Sequence, residues 1–468
     1  MSEKHAPAPT RMLVGWRLVL FAMGTLGQMA PIGFFSTYIP TFYNYTVKLN
    51  PTITFIGLFF GLTTFAIMAP IFGTIIDNKR PGRLGKRKPF LLLGIPLIAV
   101  LMIIAWMPPM CPIGDPNYPP TAIYYLVVTI LVFMNQALLV STYLSMLAEQ
   151  STETDNRVKI ATLQGIFSII GTVLSILIPI LIESKMPNKN APEWYTPTGR
   201  YLTSTLPVYG IIFGVAGAIA FIAAFAASDE SFYARLAVKE QPRASIRKTF
   251  TQIVAPFSDN NYRYWLGNAF FFNMAIRILI VILIPIMRYV LDLEQNQNVW
   301  FFLAIIPFAL GGYVLWARKI KKSGLKASYG MSLIVNVIFA FVAIIFVIDM
   351  PFELKFVLGA IVLGILISSL VGGYLFPNPI VSTLVDRAPT ELRQKADALG
   401  RGLSGSYFGL YIFFYNISQA LTNILLLFIL PEDRLKDPFF ILLTVPVAGI
   451  LVLCSYLFLK KLDFPQKK

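Results

Sequence analysis

One arginine, Arg277, stands inside a long apolar segment, in the sequence NMAIRILIV. It lies fourteen residues after Arg263 and eleven before Arg288, near mid-span if this segment crosses a bilayer. A charged side chain at that depth is costly and usually functional, and a guanidinium binds carboxylates and phosphates through paired hydrogen bonds. Arg277 is therefore a candidate for binding an anionic group of a solute. The alternative is a structural arginine satisfied by backbone carbonyls and by amides such as Asn273.

Uncharged polar side chains occur in several apolar segments. Each alone could join two helices with a hydrogen bond typically worth below about 1 kcal/mol. Together with Arg277, we expect them to line a cavity that hydrogen-bonds a polar solute, with the abundant Phe and Tyr able to stack on it. The candidates are Gln28, Tyr38, Asn135, Gln136, Gln164, Asn273, Tyr374, Asn378, Asn416 and Gln419.

Residues typical of catalysis, metal binding or ATP-driven transport form no recognisable pattern. The one histidine, His5, lies near the start of the chain, and no G-x-x-x-x-G-K-[ST] motif is present to hold nucleotide phosphates. The two cysteines, Cys111 and Cys454, lie too far apart in the predicted topology for a disulfide or a metal site. We therefore expect no enzymatic activity, no cofactor and no bound metal.

The segments that carry these residues have the length that crosses a membrane. The chain is 56% hydrophobic and only 13% charged, and a helix of roughly 20 residues spans a hydrocarbon core of about 30 Å. Buried helices of a soluble protein are the alternative, but the apolar runs recur along all 468 residues. We predict an all-α membrane protein with twelve transmembrane helices in two pseudo-repeated six-helix bundles. The predicted spans 1 to 12 are 14–40, 53–76, 90–107, 121–147, 159–182, 206–227, 264–290, 297–317, 328–348, 354–382, 398–429 and 438–459.

The net charge of +16 follows the connections between spans instead of one basic face, which disfavours nucleic-acid binding. If the N-terminus lies inside, thirty of the thirty-nine basic residues fall in or beside inner segments, eight in or beside outer segments, and Arg277 within a span. The positive-inside rule places the basic connections in the cytoplasm. We therefore predict a multi-pass protein of the cell membrane with both termini cytoplasmic.

The longest inner connection divides the spans six and six. We predict an N-terminal bundle over residues 1–227, a cytoplasmic linker over 228–263 and a C-terminal bundle over 264–468. In the linker, SIRKTFTQIVAPF (245–257) has apolar residues at helical spacing beside two basic ones, as expected of a short helix in the inner interface. Such a helix could report on gating, but tethering the two halves is the simpler role.

Two segments indicate that the halves are distant repeats. LAEQSTETDNRVKIATLQG follows span 4 and LVDRAPTELRQKADALGRG follows span 10, and their alignment pairs Glu149 with Asp386 and Arg157 with Arg393. Chance agreement between common loop residues is the alternative. Both segments nevertheless hold the same place in a six-helix half, as in duplicated transporters.

The connection between spans 2 and 3 reads DNKRPGRLGKRKPF, residues 77–90, with six Lys or Arg in fourteen residues. Asp77 would end span 2, where a carboxylate opposes the helix dipole unless a cation is near, and the basic cluster supplies one.

Twelve spans with this connection resemble the major facilitator superfamily. The pattern D-x(n)-R-x-G-[KR]-[KR]-[KR]-P-[FWY] resembles the glycoside-pentoside-hexuronide:cation symporters, the group of melibiose permease. The resemblance implies that charged residues here latch the helices in one state of alternating access. The gating candidates are Asp77, Arg80, Arg83, Gly85, Lys86, Arg87, Lys88, Glu149, Arg157, Asp386 and Arg393.

The chain departs from that group at its cation site. Members that couple to sodium or protons carry acidic residues in helices 1, 2 and 4, where aligning the loops places Met29, Phe65, Ala69 and Val140 in this chain. All twenty-three acidic residues fall in inner or outer segments by our count, and none in mid-membrane. A hard cation asks for several oxygen ligands, and proton coupling needs a titratable group in the pathway. We therefore expect the sodium site to be missing. Asn416 also replaces a lysine common in helix 11 of the group.

These patterns predict a membrane carrier that moves a small polar organic solute by alternating access. A sugar or glycoside, including an anionic one because of Arg277, is the expected solute. A carrier of amphipathic lipids or lysolipids is one alternative, and a non-transporting membrane receptor or scaffold with the same fold is another. The expected partners are the solute and membrane lipids, without nucleic acid, and the chain is expected to act as a monomer.

Overall fold

The computed structural model describes residues 12–79, 82–151, 154–228, 230, 251, 253–294, 297–370, 375–398 and 403–464. The prediction of an all-α protein with twelve membrane helices is confirmed. Within the described residues, eleven helices are long and apolar enough to cross a membrane, and the remaining one, α3, is a shorter apolar helix of 17 residues. The twelve are α1 Trp16–Val47, α2 Pro51–Asn78, α3 Lys88–Ile104, α4 Pro119–Gln150, α5 Thr154–Glu183, α6 Pro197–Ala227, α7 Asn260–Val290, α8 Gln297–Ser323, α9 Leu325–Val347, α10 Phe352–Leu370, α11 Leu403–Ile429 and α12 Pro438–Lys461.

Each predicted span corresponds to one of these helices, with differences at the ends. Helix α1 continues past the predicted end at residue 40, because Phe42–Val47 extends it as a wider π-helix. The predicted span 354–382 corresponds to α10, described up to Leu370, and to a short helix, Pro377–Asp386, while residues 371–374 lie outside the described residues. Proline suits the first turn of a helix, where its missing N–H has no partner to lose. A second short helix, Thr390–Ala398, precedes α11.

Three helices begin with the same local device, a capping side chain followed by proline. Asn50, Thr196 and Asp437 each accept a hydrogen bond from a backbone N–H of the first turn, and the next residue is proline. These starts belong to α2, α6 and α12, and all three lie at one end of the bundle. We call this the outer end, following the orientation predicted from charge, and the opposite one the inner end.

Helices α1 and α7, the first of each half, end alike at the outer end. Each has a proline, Pro40 or Pro285, in its last α-helical turn, and each then widens into a π-helix, Phe42–Val47 or Ile286–Val290. A proline removes one backbone donor and loosens the preceding turn. Short π-helical turns of this kind are frequent at functional sites. The shared ending fits the repeat relation expected from the sequence.

Most packing joins helices of the same half. Helix α2 packs along α4, α1 along α5, and α3 along α6, while α7 packs along α12 and α8 along α10. Close approach relies on small residues: a Cβ on Gly61 of α2 would lie 2.4 Å from the ring of Phe133 on α4. Between the halves, α2 packs on α11, α1 on α7 and α5 on α8. A site between the halves must therefore draw its residues from these helices and their neighbours.

The linker is described only at its two ends. Of the predicted interfacial helix, residues 245–250 and 252 lie outside the described residues, residues 251, 253 and 254 are α-helical, and Ala255–Ser258 forms a 3-10 turn. Ile253 lies beside α11, where a Cβ on Gly409 would meet it at 3.5 Å. Asp259 then caps α7 by accepting from the N–H groups of Asn261 and Tyr262. The end of the linker therefore lies against the C-terminal half.

Candidate functional site

Arg277 lies at the boundary between the halves. Its side chain is only 2% exposed, and Nη1 donates to the carbonyl oxygen of Ser36 on α1 at 3.4 Å. Its Nε and Nη2 atoms are buried and have no hydrogen-bond partner among the described residues. An unpaired guanidinium in a dry interior costs several kcal/mol by general experience. Among the described residues, the Ser36 carbonyl therefore satisfies only part of the guanidinium.

The acceptor on α1 follows from the sequence. In an α-helix the carbonyl of residue 36 would accept from the N–H of residue 40, but that residue is proline and has none. The Ser36 carbonyl is therefore free to accept from Arg277. Tyr125 of α4 and Tyr415 of α11 are near enough to interact electrostatically with the guanidinium. Groups from α1, α4, α7 and α11 thus surround one buried cation.

Two predicted residues of α4 line a small cavity inside the N-terminal half. Asn135 and Gln136 share it with Ile32 of α1 and apolar residues of α3. Asn135 Nδ2 donates to the carbonyl of Gly94 at 3.2 Å, and Gln136 Nε2 donates to the carbonyl of Gln28 at 3.3 Å. Both amides thereby join helices. Asn135 Oδ1 is buried and without a partner among the described residues, so it can still accept a hydrogen bond.

Several other predicted residues have local partners. Asn273 donates to the carbonyl of Ala269 at 2.7 Å and Asn416 to that of Ile412 at 2.8 Å, each one turn back on its own helix. Gln164 donates to the hydroxyl of Tyr143 at 2.8 Å. Only the Gln164 bond joins two helices, α5 and α4, as the helix-joining alternative expects, whereas the other two lie within one helix. Asn273 nevertheless sits four residues before Arg277, on the same face of α7.

The other predicted site residues lie in different parts of the protein, and some fall outside the described residues. Gln419 is buried in α11, and its carbonyl accepts from Asn423 at 2.9 Å. Tyr38 lies in the outer part of α1 and donates to Glu183, so it belongs to the outer end instead of a central cavity. Tyr374 and Arg80 lie outside the described residues, as do the side chains of Asp77, Glu149 and Arg157.

A buried ion pair joins the halves at the outer end, and sequence reasoning missed it. Arg288 of α7 donates from Nε to Glu183 Oε2 at 3.0 Å, and its Nη2 reaches the same oxygen. The side chains are 3% and 5% exposed. Our counting placed Glu183 in an outer connection, whereas it is the buried last residue of α5. The signal was available, since Glu183 ends one apolar run and Arg288 lies near the end of another.

Two ion pairs that are more exposed to solvent also join the halves at the outer end. Lys189 contacts Asp292 at 2.7 Å, and Lys436 contacts Glu193 at 2.8 Å. Partial burial raises the pKa of Glu193, but the hydrogen bond and charge of Lys436 lower it by more, so its net pKa lies below the usual range. Tyr45 also donates to the carbonyl of Leu435 at 2.6 Å. The outer end is therefore closed in this structure.

At the inner end, the basic connection encloses a carboxylate. The N–H groups of Lys86, Arg87 and Lys88 donate to Glu230, the last two at 2.9 Å and 3.0 Å. This is an anion site at the start of α3, occupied by a residue that follows α6. Gly85 has φ 86°, and a Cβ there would lie 2.2 Å from Glu230 Oε2, so only glycine fits. Sequence analysis placed Glu230 in the linker and missed this role.

Arg393 and Asp386, two further gating candidates, meet through a backbone carbonyl and not through their two side-chain charges. Arg393 donates from Nε to the carbonyl of Ala388 at 3.1 Å, and from Nη2 to the carbonyl of Asp386. It therefore binds the chain at the end of the helix Pro377–Asp386, while the Asp386 carboxylate is exposed. Arg83 is also exposed. The alignment of Glu149 with Asp386 and of Arg157 with Arg393 stays a prediction, because the side chains of Glu149 and Arg157 lie outside the described residues.

The positions of the expected cation site hold apolar side chains. Phe65 and Val140 are 9% and 7% exposed, between α2 and α4. Ser141 Oγ donates to the carbonyl of Ala69 at 2.8 Å, which joins the same two helices. Among the described residues, no group of three or more His, Cys, Asp or Glu side chains is placed to hold a metal ion.

Twelve apolar helices in two groups of six, with a buried cation at their boundary, define an integral, multi-pass membrane carrier for solutes. The chain belongs to the family described as MFS/sugar transport protein, whose model matches residues 20–431. The predicted resemblance to the major facilitator superfamily is thereby confirmed.

Solved structures share the fold at low sequence identity. The nucleoside transporter NupG superposes with a TM-score of 0.63 at 12% identity, covering 96% of this chain and 100% of that chain. A D-xylose-proton symporter gives 0.59 at 15% identity, covering 96% and 97%. The xylose transporter XylE from E. coli, in an inward open conformation, gives 0.59 at 12% identity, covering 96% of each chain. No curated protein matches the sequence.

Proposed function

We propose that this protein is a carrier of small polar organic solutes that bear an anionic group, such as sugar acids. It works by alternating access, with the N-terminal bundle 1–227 and the C-terminal bundle 264–468 as its two bodies and residues 228–263 as the linker. Both termini are cytoplasmic in this proposal, the membrane is the cell membrane, and the protein acts as a monomer.

One observation carries the proposal: the buried guanidinium of Arg277 keeps two donor nitrogens, Nε and Nη2, without partners among the described residues, at the boundary between the halves. A carboxylate or phosphate would accept from two parallel N–H groups and neutralise the charge. Asn273, on the same face of α7, and the free Asn135 Oδ1 on α4 are candidates for contacts to hydroxyl groups. The nucleoside and xylose carriers among the structural relatives support a solute that contains a sugar.

Uptake by purified protein in liposomes tests the proposal. The panel contains D-glucose, D-xylose, a nucleoside, D-glucuronate, a sugar phosphate and a lysophospholipid. We expect saturable uptake of an anionic sugar derivative, and exchange against the same solute preloaded inside. Neutral sugars transported as well as D-glucuronate would remove the anionic group from the proposal.

The alternatives make different predictions in the same assay. A lipid carrier would move the lysophospholipid and leave the sugars outside. A receptor or scaffold would move nothing in the panel. A lysophospholipid also carries a phosphate that could pair with Arg277, so we rank a polar solute first because the family is described as MFS/sugar transport protein and the structural relatives carry nucleosides and xylose.

A further inference from the structure

Glu183 and Arg288 come from different halves and are almost completely buried. A third residue, Tyr38, donates its hydroxyl to the other carboxylate oxygen, Glu183 Oε1. The guanidinium lies 5.9 Å from the ring centre of Tyr45 and 5.7 Å from that of Tyr289. Charge, hydrogen bonds and aromatic faces therefore meet at one point, where the widened ends of α1 and α7 approach α5.

We propose that the Glu183–Arg288 pair is the lock that holds the outer end closed, and that its rupture is the step that sets how often this end opens. The proposal rests on the alternating-access function given above. No solute path to the outside can form between α5 and α7 while the pair is intact, because the two side chains join the halves directly.

Because it is buried, the Glu183–Arg288 pair should stabilise the closed outer end more than the more exposed ion pairs do. Removing one partner of a buried pair leaves an uncompensated charge without water, whereas exposed pairs contribute little because water and ions screen them. In an open outer end both charges would be hydrated, so losing one partner raises the free energy of the closed state only. A small cavity lined by Ile180, Ile284 and Asn298 adjoins the pair.

The experiment measures the opening of the outer end without any solute. Spin labels are attached at Ile113→Cys and Asp433→Cys, exposed positions in outer connections of the two halves, after Cys111→Ala and Cys454→Ala. Double electron–electron resonance in nanodiscs then gives the ratio of two populations: molecules with a long distance between the labels, in which the outer end is open, and molecules with a short one. We expect Glu183→Gln and Arg288→Gln each to raise this ratio at least tenfold.

The exposed pairs provide matched controls between the same halves. Lys189→Gln and Lys436→Gln should change the ratio less than threefold, and the reversed pair E183R/R288E should restore it towards the parent value. Equal effects of buried and exposed pairs would overturn the proposal. If Glu183→Gln is not monodisperse, Tyr38→Phe removes a single hydroxyl and should still raise the ratio about threefold; no change there would also count against the lock.

The distance measurement separates this proposal from the proposed function. Variants that open the outer end in a protein that transports nothing would support the lock and contradict the carrier. Variants that transport normally with unchanged distances would leave the carrier in place and refute the lock.

Discussion

Arg277 of the C-terminal half donates from Nη1 to the backbone carbonyl oxygen of Ser36 in the N-terminal half, at a distance of 3.4 Å. The acceptor exists because Pro40 cannot donate to it. This single bond leaves two of the guanidinium's donor nitrogens without partners in the described residues. The contact thus explains how the side chain is oriented, and it leaves most of its binding capacity for another molecule.

Replacing Arg277 should abolish recognition of an anionic solute. Arg277→Gln removes the charge and should lower uptake of D-glucuronate about 100-fold, since charged hydrogen bonds contribute about 1.5–3 kcal/mol each. Arg277→Lys keeps the charge but loses the planar fork, so about a tenfold loss is expected. The readout is initial uptake into proteoliposomes, with Arg434→Gln on the outer surface as the control. Retention of more than half the activity by Arg277→Gln would contradict the proposed site.

The fold was predictable because apolar runs and basic connections are local in sequence. The contacts of the site were not, since they depend on which distant residues meet. Arg277 is noticeable by its charge alone, whereas Glu183 becomes important only because Arg288 packs against it. Glu230 likewise reads as an ordinary linker acid until the backbone of residues 86–88 encloses it. The Ser36 acceptor differs from these contacts, because its four-residue spacing to Pro40 marks a carbonyl without a helical donor in the sequence itself.

Gly85 should resist replacement, while Gly82 in the same connection should tolerate it. An alanine at 85 would strain the backbone at φ 86° and collide with Glu230, whereas a Cβ at Gly82 meets no atom within 4 Å. The left-handed conformation alone costs roughly 1–2 kcal/mol for a residue other than glycine. Gly85→Ala should therefore lower the apparent unfolding temperature in detergent by about 2 °C or more, and Gly82→Ala by less.

A double-variant cycle checks the cause. In a Glu230→Ala background the collision with the carboxylate is gone, while the contact with the Cβ of residue 230 at 2.7 Å and the backbone strain remain, so Gly85→Ala should cost less there than in the parent. An equal cost in both backgrounds would show that Glu230 does not lie against Gly85.

The orientation can be tested at two exposed positions of the N-terminal half. Leu84 is 50% exposed in the basic connection and Ile113 is 74% exposed at the opposite end. A membrane-impermeant maleimide applied to intact cells should label Ile113→Cys and should reach Leu84→Cys only after permeabilisation, because basic connections remain in the cytoplasm. Labelling of Leu84→Cys in intact cells would reverse the assignment. Gly85 itself is unsuitable for the label, since a side chain there disturbs the connection.

Sodium should not drive transport through the site used by the resembling symporters. The corresponding positions hold Met29, Phe65, Ala69 and Val140, and the contact between α2 and α4 is made there by Ser141 donating to the carbonyl of Ala69. A sodium ion would have to lose water without gaining carboxylate ligands, which is unfavourable for a hard cation. Proteoliposomes given an inward sodium gradient should therefore take up D-glucuronate only to its equilibrium level, as with a potassium gradient of the same size, while exchange against preloaded solute proceeds. The contrary result is sodium-dependent accumulation above equilibrium that survives Asn135→Ala. It would mean that the ion binds elsewhere in the chain. It would also refute a carrier that works by facilitated diffusion or exchange.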